Sequence, residues 1–263
     1  MLIVEGLEKD FGGVRAAADL GFRVEPGSIT GLIGPNGSGK TTTFNLITGL
    51  LRPDRGRILF GPARRDLVGL APHAIARLGI GRTFQIQRLF PQLTVLENVL
   101  VAAFLRTRSG FPQALVATPR SRQERAQATA AAVESLGVFG SRLLPMRDAP
   151  AGALSYANRR RLEIARALAT QPTLLLLDEP AAGMNPSESR ELMEDIRGVR
   201  DRGITIFVIE HDMALVQGIC EKVIALDSGE KIAEGTFEQV RNDPRVIEAY
   251  LGRGRARPAP TGG

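Results

Sequence analysis

Cysteine is nearly absent from this chain, which has Cys220 alone. A lone cysteine excludes an internal disulfide and any cysteine-rich metal site, and we expect it to be a small core residue. Long apolar runs are also missing, since no stretch approaches the roughly 20 residues that a membrane-spanning helix needs. Charged residues follow soon after Met1 without a signal-peptide pattern. The sequence therefore predicts a soluble protein that stays where it is made.

Aromatic residues are scarce, at 5% of the chain, whereas basic charge is in excess, with a net charge of +6 and a pI near 10.2. The positive charge suggests an anionic partner, which could be a nucleotide, a nucleic acid or an anionic membrane surface. Few aromatic residues are available to interleave with the arginines, as binding to single-stranded nucleic acid requires. The sequence also lacks internal repeats and heptad arrays.

The alternation of short apolar runs with helical patterns indicates the fold class. The strand-like runs cover residues 2–5, 29–33, 174–177, 204–209 and 223–226. This order predicts an α/β domain with a largely parallel, doubly wound sheet. We expect one domain over residues 1–252, with its core at about 1–92 and 170–252. Residues 253–263 are rich in Pro, Gly and Arg, and we expect a disordered tail there.

Strand signals fade between about residues 93 and 169, where the chain is rich in Ala, Leu and Arg. This segment is typical of a helical lobe inserted into the α/β core. Within it, a helix is expected to turn one apolar face inward. The members of that face would be Ala126, Ala130, Val133 and Leu136. A second helix should start at Asn185, with Leu192, Ile196 and Val199 facing inward.

Residues 34–41 read GPNGSGKT and fit the phosphate-binding pattern GxxxxGK[ST]. A strand-like run precedes them and an apolar pattern at helical spacing follows, which is the context a P-loop requires. Gly37 and Gly39 would let the backbone N–H groups and the helix dipole face the phosphates. Lys40 would reach the β- and γ-phosphates, and the Thr41 hydroxyl would bind Mg2+. The predicted nucleotide-binding residues of this segment are Asn36, Gly37, Ser38, Gly39, Lys40, Thr41 and Thr42. The alternative is a glycine-rich turn that happens to carry a lysine.

Two further strands end in polar residues that suit phosphate chemistry. Asp178 and Glu179 follow a buried apolar run, and His211 follows a β-branched one. Since α/β folds place ligands at the carboxyl ends of their strands, Asp178 is expected to hold Mg2+. Glu179 would orient or deprotonate the attacking water, and His211 would contact the γ-phosphate. The alternatives are two solvated acids and a structural histidine.

The order of these motifs resembles the ATP-binding cassette family, the nucleotide-binding subunits of ABC transporters, over essentially the whole folded chain. The resemblance implies a P-loop ATPase core with an antiparallel β edge and a helical lobe. It also implies that Gln85 touches Mg2+ and the attacking water, and that Phe11 stacks on adenine. Leu154-Ser155-Tyr156-Ala157-Asn158 is similar to the LSGGQ signature, whose residues act on the ATP of a partner cassette.

The resemblance extends to the ATP-binding subunits of branched-chain amino acid importers, with importers of urea or other small polar solutes as the alternative. It rests on segments such as Arg82-Thr-Phe-Gln85 and Arg160-Arg-Leu-Glu-Ile-Ala165. It implies ATP and Mg2+ as cofactors, and a second cassette as partner, more often a different chain than a copy. It further implies transmembrane permease subunits, an indirect link to a solute-binding protein, and a peripheral position on the cytoplasmic face of the membrane. Leu89, Phe90 and Leu93 form a candidate apolar patch for the permease, or else belong to the lobe core.

Departures from the family pattern raise two questions about this chain. Ala157 adds a Cβ where the signature backbone should approach a γ-phosphate, which predicts a weakened site. Asn185 replaces the usual acidic residue of the family's D-loop, which the segment Ala182-Gly183-Met184-Asn185 resembles, and this change bears on communication between the two sites. The run Arg159-Arg160-Arg161 is interpreted as a solvated helix face rather than a nucleic-acid patch.

Two other functions remain open from sequence alone. One is an ABC-type ATPase acting on DNA or ribosomes, which the basic pI suggests. The sequence argues against this function, because it has no coiled-coil arm, no cysteine pair for a zinc hook and no second cassette. The other is a nucleotide-binding regulator without turnover, which rests only on Ala157.

Overall fold

The computed structural model describes residues 1–83, 89–104 and 119–251. The strands in these ranges are β1 (Leu2–Phe11), β2 (Val14–Val24), β3 (Ile29–Ile33), β4 (Arg55–Phe60), β5 (Arg65–Asp66), β6 (Ile80–Arg82), β7 (Leu174–Asp178), β8 (Thr205–Ile209), β9 (Lys222–Asp227) and β10 (Glu230–Gly235). They form a four-stranded sheet in the order β2-β1-β4-β5 and a six-stranded sheet in the order β10-β9-β3-β8-β7-β6.

The helices of the described ranges are α1 (Lys40–Ile47), α2 (Pro72–Arg77), α3 (Val95–Ala103), α4 (Pro119–Gly137), α5 (Gly140–Leu143), α6 (Tyr156–Leu168), α7 (Pro186–Asp201), α8 (Met213–Ile219), α9 (Phe237–Arg241) and α10 (Pro244–Leu251). Within these ranges, no helix has both the length and the apolar character needed to cross a bilayer.

The six-stranded sheet is parallel except at one edge. Strands β9, β3, β8, β7 and β6 pair in parallel, and β10 pairs antiparallel with β9. Every residue of β3, β7 and β8 is buried, as expected for parallel strands covered on both faces. The four-stranded sheet is antiparallel throughout and packs against one face of the larger sheet. The predicted α/β class with a mostly parallel sheet and an antiparallel edge is confirmed.

Helices α3 to α6 pack on one another and share a hydrophobic cluster with the other face of the large sheet. The predicted inward face of α4 is wrong for three of its four members, since Ala126 and Ala130 are exposed and Val133 is only half-buried. The buried face instead carries Ala128, Ala132, Ser135 and Leu136. Alanine occurs on nearly every side of this helix, so the sequence pattern could not distinguish one alanine stripe from another.

The predicted helix start at Asn185 is confirmed. The Asn185 side chain accepts hydrogen bonds from the backbone of Ser187 and Glu188, and the Glu188 side chain accepts one from the Asn185 N–H, forming a capping box. Leu192, Ile196 and Val199 are fully buried, as the pattern predicts. Asparagine caps a helix as well as aspartate does. Asn185, which replaces the family's acidic residue, therefore has a structural role as a helix cap.

Candidate nucleotide site

The topology brings three predicted motifs to one edge of the large sheet. Strand β3 lies between β9 and β8, and β7 lies on the other side of β8. The P-loop follows β3, Asp178 ends β7, and His211 follows β8. Because these strands are parallel, their carboxyl ends meet at the same edge, where α/β folds bind ligands. We call this region the nucleotide edge.

The P-loop is held tightly against the hairpin of β1 and β2. Gly39 has φ +101°, and a Cβ there would lie 2.4 Å from the backbone oxygen of Ala16. Gly37 has φ +81°, and a Cβ on it would meet no atom of the described residues within 4 Å. Glycine is thus required at Gly39 by the close backbone and at Gly37 by its left-handed conformation. Between them, Ser38 is buried, whereas Asn36 and Thr41 are exposed.

Lys40 is the first residue of α1 and is only 6% exposed. Its Nζ donates to the backbone oxygens of Gly34, at 2.8 Å, and Pro35, at 3.0 Å. The ammonium group therefore lies inside the loop whose N–H groups and helix terminus form the anion-binding concavity. Thr41 and Thr42 follow in the first turn of the same helix, with Thr41 exposed and Thr42 half-buried.

Asp178 is a buried carboxylate that is held by a neighbouring cation. Arg82, at the end of β6, donates to its Oδ2 at 3.1 Å, and the two side chains are 6% and 2% exposed. Arg82 also donates to Asn45 Oδ1 at 2.7 Å and to Thr48 Oγ1 at 3.0 Å. Burial raises the pKa of Asp178, and the hydrogen bond and charge of Arg82 oppose that rise. Sequence reasoning gave Arg82 no site role.

The oxygen groups at this edge fit the chemistry of a magnesium site. Asp178 Oδ1 is buried and has no hydrogen-bond partner among the described residues, although Oδ2 of the same carboxylate does. An orphaned carboxylate oxygen in a buried site needs a ligand or a proton, and oxygen donors suit Mg2+. Thr41 offers an exposed hydroxyl from the loop. Gln85, also predicted as a metal ligand, lies outside the described residues.

Glu179 and His211 are in direct contact across the ends of β7 and β8. Glu179 Oε1 lies 2.6 Å from His211 Nε2, and the two side chains are 18% and 40% exposed. Glu179 has φ +49°, a left-handed conformation that costs a non-glycine residue about 1–2 kcal/mol. Its backbone N–H donates to Ile209 O at 3.0 Å, which fixes this turn. Such strain at a sheet edge is a common property of functional sites.

Glu210 is a second residue that sequence reasoning left without a role. It is 4% exposed, and its Oε1 accepts from the backbone N–H of Ala181 at 3.0 Å. Its Oε2 accepts from the N–H of His211 at 3.2 Å. Burial raises the pKa of Glu210, while these two backbone hydrogen bonds oppose the rise. Glu210 therefore ties the segment after Glu179 to the segment that carries His211. Its position between a core strand and His211 was the only signal in the sequence.

The signature segment forms the start of α6. Ser155 is the N-cap, and its side chain accepts from the N–H of Asn158 at 3.3 Å. Ser155 and Tyr156 are exposed, whereas Ala157 is 4% exposed and packs inside its own chain. Its methyl group is thus turned away from solvent, and the weakening of the site that this signature would complete stays a prediction.

The interpretation of Arg159-Arg160-Arg161 as a solvated helix face is wrong. Arg160 and Arg161 are 6% and 1% exposed. Arg160 pairs with Glu163, and Arg161 pairs with Asp195 and Glu191 of α7. Arg159 donates to the backbone oxygens of Leu154 and Gly152. These guanidinium groups join α6 to neighbouring carboxylates and carbonyls, and so do not form a nucleic-acid patch.

Phe11 lies at the end of β1, in the hairpin whose second strand contacts the P-loop. Its ring is exposed, with 45% of the residue accessible, and the Lys9 ammonium group lies 5.4 Å from the ring centroid. An exposed aromatic ring on this hairpin is available for stacking.

Cys220 is partly buried beside β3 and contacts the core, and burial raises the pKa of its thiol to about 12.

Replacing Arg82 with methionine is expected to lower the free energy of unfolding by about 3–5 kcal/mol, because the Asp178 carboxylate would remain buried without its cation. The exposed Arg190→Met variant is the control, with an expected change within about 0.5 kcal/mol. Urea unfolding measures both. A double variant, Arg82→Met with Asp178→Asn, should recover most of the loss. Equal losses in the two single arginine variants would contradict the role of Arg82.

The stability that Arg82→Met loses should depend on pH in a defined direction. Without Arg82, the pKa of Asp178 in the folded protein rises further above its unfolded value. As pH falls through this raised pKa, Asp178 takes up a proton in the folded state, which favours folding. The difference in free energy of unfolding between wild type and Arg82→Met, measured by urea unfolding, should therefore be largest at neutral pH and shrink in acid.

Comparisons with known proteins agree with this geometry. The family model described as ABC transporter matches residues 17–182, and one described as Branched-chain amino acid ATP-binding cassette transporter matches residues 230–256. The chain is 46% identical over 253 residues to the high-affinity branched-chain amino acid transport ATP-binding protein LivG of Escherichia coli K12, covering 96% of this chain and 98% of LivG. It is 42% identical, with the same coverage, to BraF of Pseudomonas aeruginosa, which has the same description.

A solved structure gives the same result for the fold. The ADP conformation of MJ1267, an ATP-binding cassette of an ABC transporter, superposes with a TM-score of 0.82 at 32% identity, covering 96% of this chain and 98% of that one. The family resemblance inferred from the motifs is confirmed. The chain belongs to the ABC transporter family and is one of its ATP-binding cassettes, which are ATPases.

Proposed function

We propose that this chain binds and hydrolyses ATP to energise a membrane importer of branched-chain amino acids or a similar small polar solute. The observation that carries the proposal is the contact of Glu179 Oε1 with His211 Nε2 at 2.6 Å, beside a complete P-loop. The names of LivG and BraF supply the solute class. Neither the buried arginines nor the relatives favour action on nucleic acid.

Nucleotide binding is assigned to the P-loop and its surroundings. The phosphates would lie over the N–H groups of residues 36–42, with Lys40 moving from the Gly34 and Pro35 carbonyls to the β- and γ-phosphates. Phe11 would stack on the adenine. Asp178, through its orphaned oxygen, and Thr41 would hold Mg2+, together with Gln85. The bound metal would neutralise charge on the β- and γ-phosphates.

Hydrolysis is assigned to the Glu179 and His211 pair. Glu179 would orient the attacking water and accept its proton, and its strained backbone fixes where the carboxylate points. His211, held by Glu210 through its own N–H, would contact the γ-phosphate and restrain Glu179. Both groups act by position and charge at the terminal phosphate, where phosphoryl transfer needs most stabilisation.

A second cassette would complete each site. The start of α6 offers the exposed Ser155 and the first-turn N–H groups of a 13-residue helix, which suit the γ-phosphate of a partner's ATP. ATP would then bridge two cassettes and favour their closed dimer. Tyr156, Ala157 and Asn158 continue this signature. We infer a different chain as partner, on the resemblance to branched-chain amino acid importers.

The permease is expected to contact the lobe beside a cavity of about 350 Å³ between core and lobe. Leu50 lines this cavity, Phe90 contacts its lining residue Arg166, and Val101 lies on α3; each of the three is more than 40% exposed. Leu89 packs on the lobe core, and Leu93 is half-buried. The proposed patch thus keeps Phe90 of the three residues that the sequence indicated, and it adds Leu50 and Val101. A peripheral position on the cytoplasmic face of the membrane follows from this proposal.

Val101→Asp is expected to reduce co-purification of the permease subunits at least about tenfold, because a charge would replace an apolar contact. ATP binding by the isolated chain should stay within about twofold of wild type. Ile247→Asp is the matched control, since Ile247 lies on another helix with a similar exposure of 44% against 42%. Equal recovery of permease with both variants would reject this surface.

The experiment that tests the function is purification of the tagged chain from detergent-solubilised membranes of its source. Mass spectrometry is expected to find two multi-spanning proteins and a second cassette, and adding a binding protein loaded with leucine, isoleucine or valine should stimulate ATPase activity. Recovery of nucleic acid or ribosomal proteins instead would overturn the proposal. Failure of the complex to hydrolyse ATP would favour a regulator without turnover.

A further inference from the structure

The signature tyrosine makes a contact that joins two distant functional segments of the same chain. Tyr156 is the first residue of α6, and its hydroxyl oxygen lies 2.8 Å from the backbone oxygen of Ala182. Gly183, the next residue, has φ +79°, and a Cβ there would lie 3.1 Å from the same hydroxyl. The tyrosine side chain therefore lies directly against the segment that follows Glu179.

The Ala182 carbonyl can only accept, so the Tyr156 hydroxyl donates to it, and a third residue donates to the same hydroxyl. Arg160 Nη2 lies 3.0 Å from the Tyr156 hydroxyl oxygen, and its guanidinium carbon lies 5.4 Å from the tyrosine ring centroid. A guanidinium group can only donate, so the hydroxyl accepts from Arg160 and gives its own proton to the Ala182 carbonyl. Arg160 is buried and paired with Glu163, which makes this a charge-assisted chain of hydrogen bonds.

The segment that Tyr156 contacts is also hydrogen-bonded to Glu179. The N–H of Ala182 donates to the Glu179 carbonyl at 3.2 Å, closing a tight turn. On the core side, Glu210 holds the N–H of Ala181. The turn that positions Glu179 is thus held from the core by Glu210 and from the lobe by Tyr156.

We propose that Tyr156 is a positioning residue that couples the two ATP sites of the dimer within one chain. This inference rests on the proposed function, in which Ser155 contacts the partner's nucleotide and Glu179 acts on the chain's own. Tyr156 is adjacent to Ser155 and bonded to the turn of Glu179. Closure of α6 on the partner's ATP would therefore be transmitted to the catalytic carboxylate through one hydroxyl group.

The test compares Tyr156→Phe, which keeps the ring and removes the hydroxyl, with Thr129→Val. The Thr129 hydroxyl also donates to a backbone carbonyl, that of Arg125 at 2.9 Å, but the bond stays within α4. Each variant loses one hydrogen bond from a hydroxyl to a backbone carbonyl, and only in Tyr156→Phe does that bond link lobe and core. Tyr156→Phe also loses the hydrogen bond that Arg160 donates to the hydroxyl. Both are expected to fold, because Tyr156 is 42% exposed and Phe preserves its shape.

Two measurements are made on these variants. In the isolated chain, amide hydrogen exchange over residues 180–185 should be about three- to tenfold faster in Tyr156→Phe and unchanged in Thr129→Val. In the complex with its partner cassette and permease, kcat for ATP should fall about three- to tenfold in Tyr156→Phe, with KM within about twofold of wild type.

The outcomes separate the inference from the proposed function. A Tyr156→Phe complex with the kcat of Thr129→Val would overturn the inference, whether or not exchange increases. A raised KM with unchanged kcat would also overturn it, because it would mean that the hydroxyl serves nucleotide binding alone. A wild-type complex without ATPase activity would refute the proposed function itself.

Discussion

Glu179→Gln is expected to lower ATP turnover by the assembled complex at least about 100-fold while ATP affinity stays within about threefold of wild type. Glutamine preserves the size and hydrogen-bonding reach of the side chain but cannot accept a proton from water. It also loses the charge that faces His211 at 2.6 Å. Glu179 is not one of the P-loop residues proposed to contact the nucleotide, so the affinity for ATP should stay nearly unchanged.

The control for this variant is Glu134→Gln, which makes the same chemical change on the exposed side of α4. Steady-state turnover and equilibrium binding of a fluorescent ATP analogue are measured on both complexes. We expect normal values of both for Glu134→Gln. Turnover near the wild-type rate in Glu179→Gln would mean that another group activates the water.

Lys40→Ala is expected to weaken ATP binding by about 100-fold or more. The Nζ group is buried in the loop and held by two backbone carbonyls, so it is positioned for the phosphates before they arrive. Removing one member of a buried charge pair costs about 2–5 kcal/mol, and a 100-fold loss of affinity corresponds to about 2.8 kcal/mol, which lies within this range. Isothermal titration calorimetry of the isolated chain with ATP measures the Kd.

Lys231→Ala serves as the control for Lys40→Ala, since Lys231 pairs with Glu234 on the antiparallel edge and its replacement removes the same charge from the chain. Its ATP affinity should remain within about twofold of wild type. Comparable losses in both variants would show that net charge, and not the position of Lys40 in the P-loop, governs binding.

Much of the fold and site could be predicted because the informative signals are local. The strand predicted at residues 29–33 has those bounds in the structure, and the run of four leucines in β7 identified another. A continuous apolar run reports burial on both faces of a parallel sheet. The glycine and lysine spacing of the P-loop reports a loop geometry that few other residues can adopt.

The features that the sequence did not reveal depend on contacts between distant residues. Arg82 and Asp178 are separated by 96 positions, and Tyr156 and Ala182 by 26. The arginine run at 159–161 departs from the usual exposure of charged residues, because Arg160 and Arg161 pair with carboxylates of α6 and α7 inside the fold. A side chain's partner across the fold is set by tertiary packing, which periodicity does not report.

The most direct measurement is uptake of labelled leucine by vesicles that contain the chain, its partner cassette and the permease subunits, with ATP on the side of the cassettes and binding protein on the other. Accumulation that requires ATP and falls to background in Glu179→Gln, but not in Glu134→Gln, is the predicted result. Leucine uptake that is equal in both variants, or ATPase activity that responds to nucleic acid and not to the loaded binding protein, would contradict the proposed function.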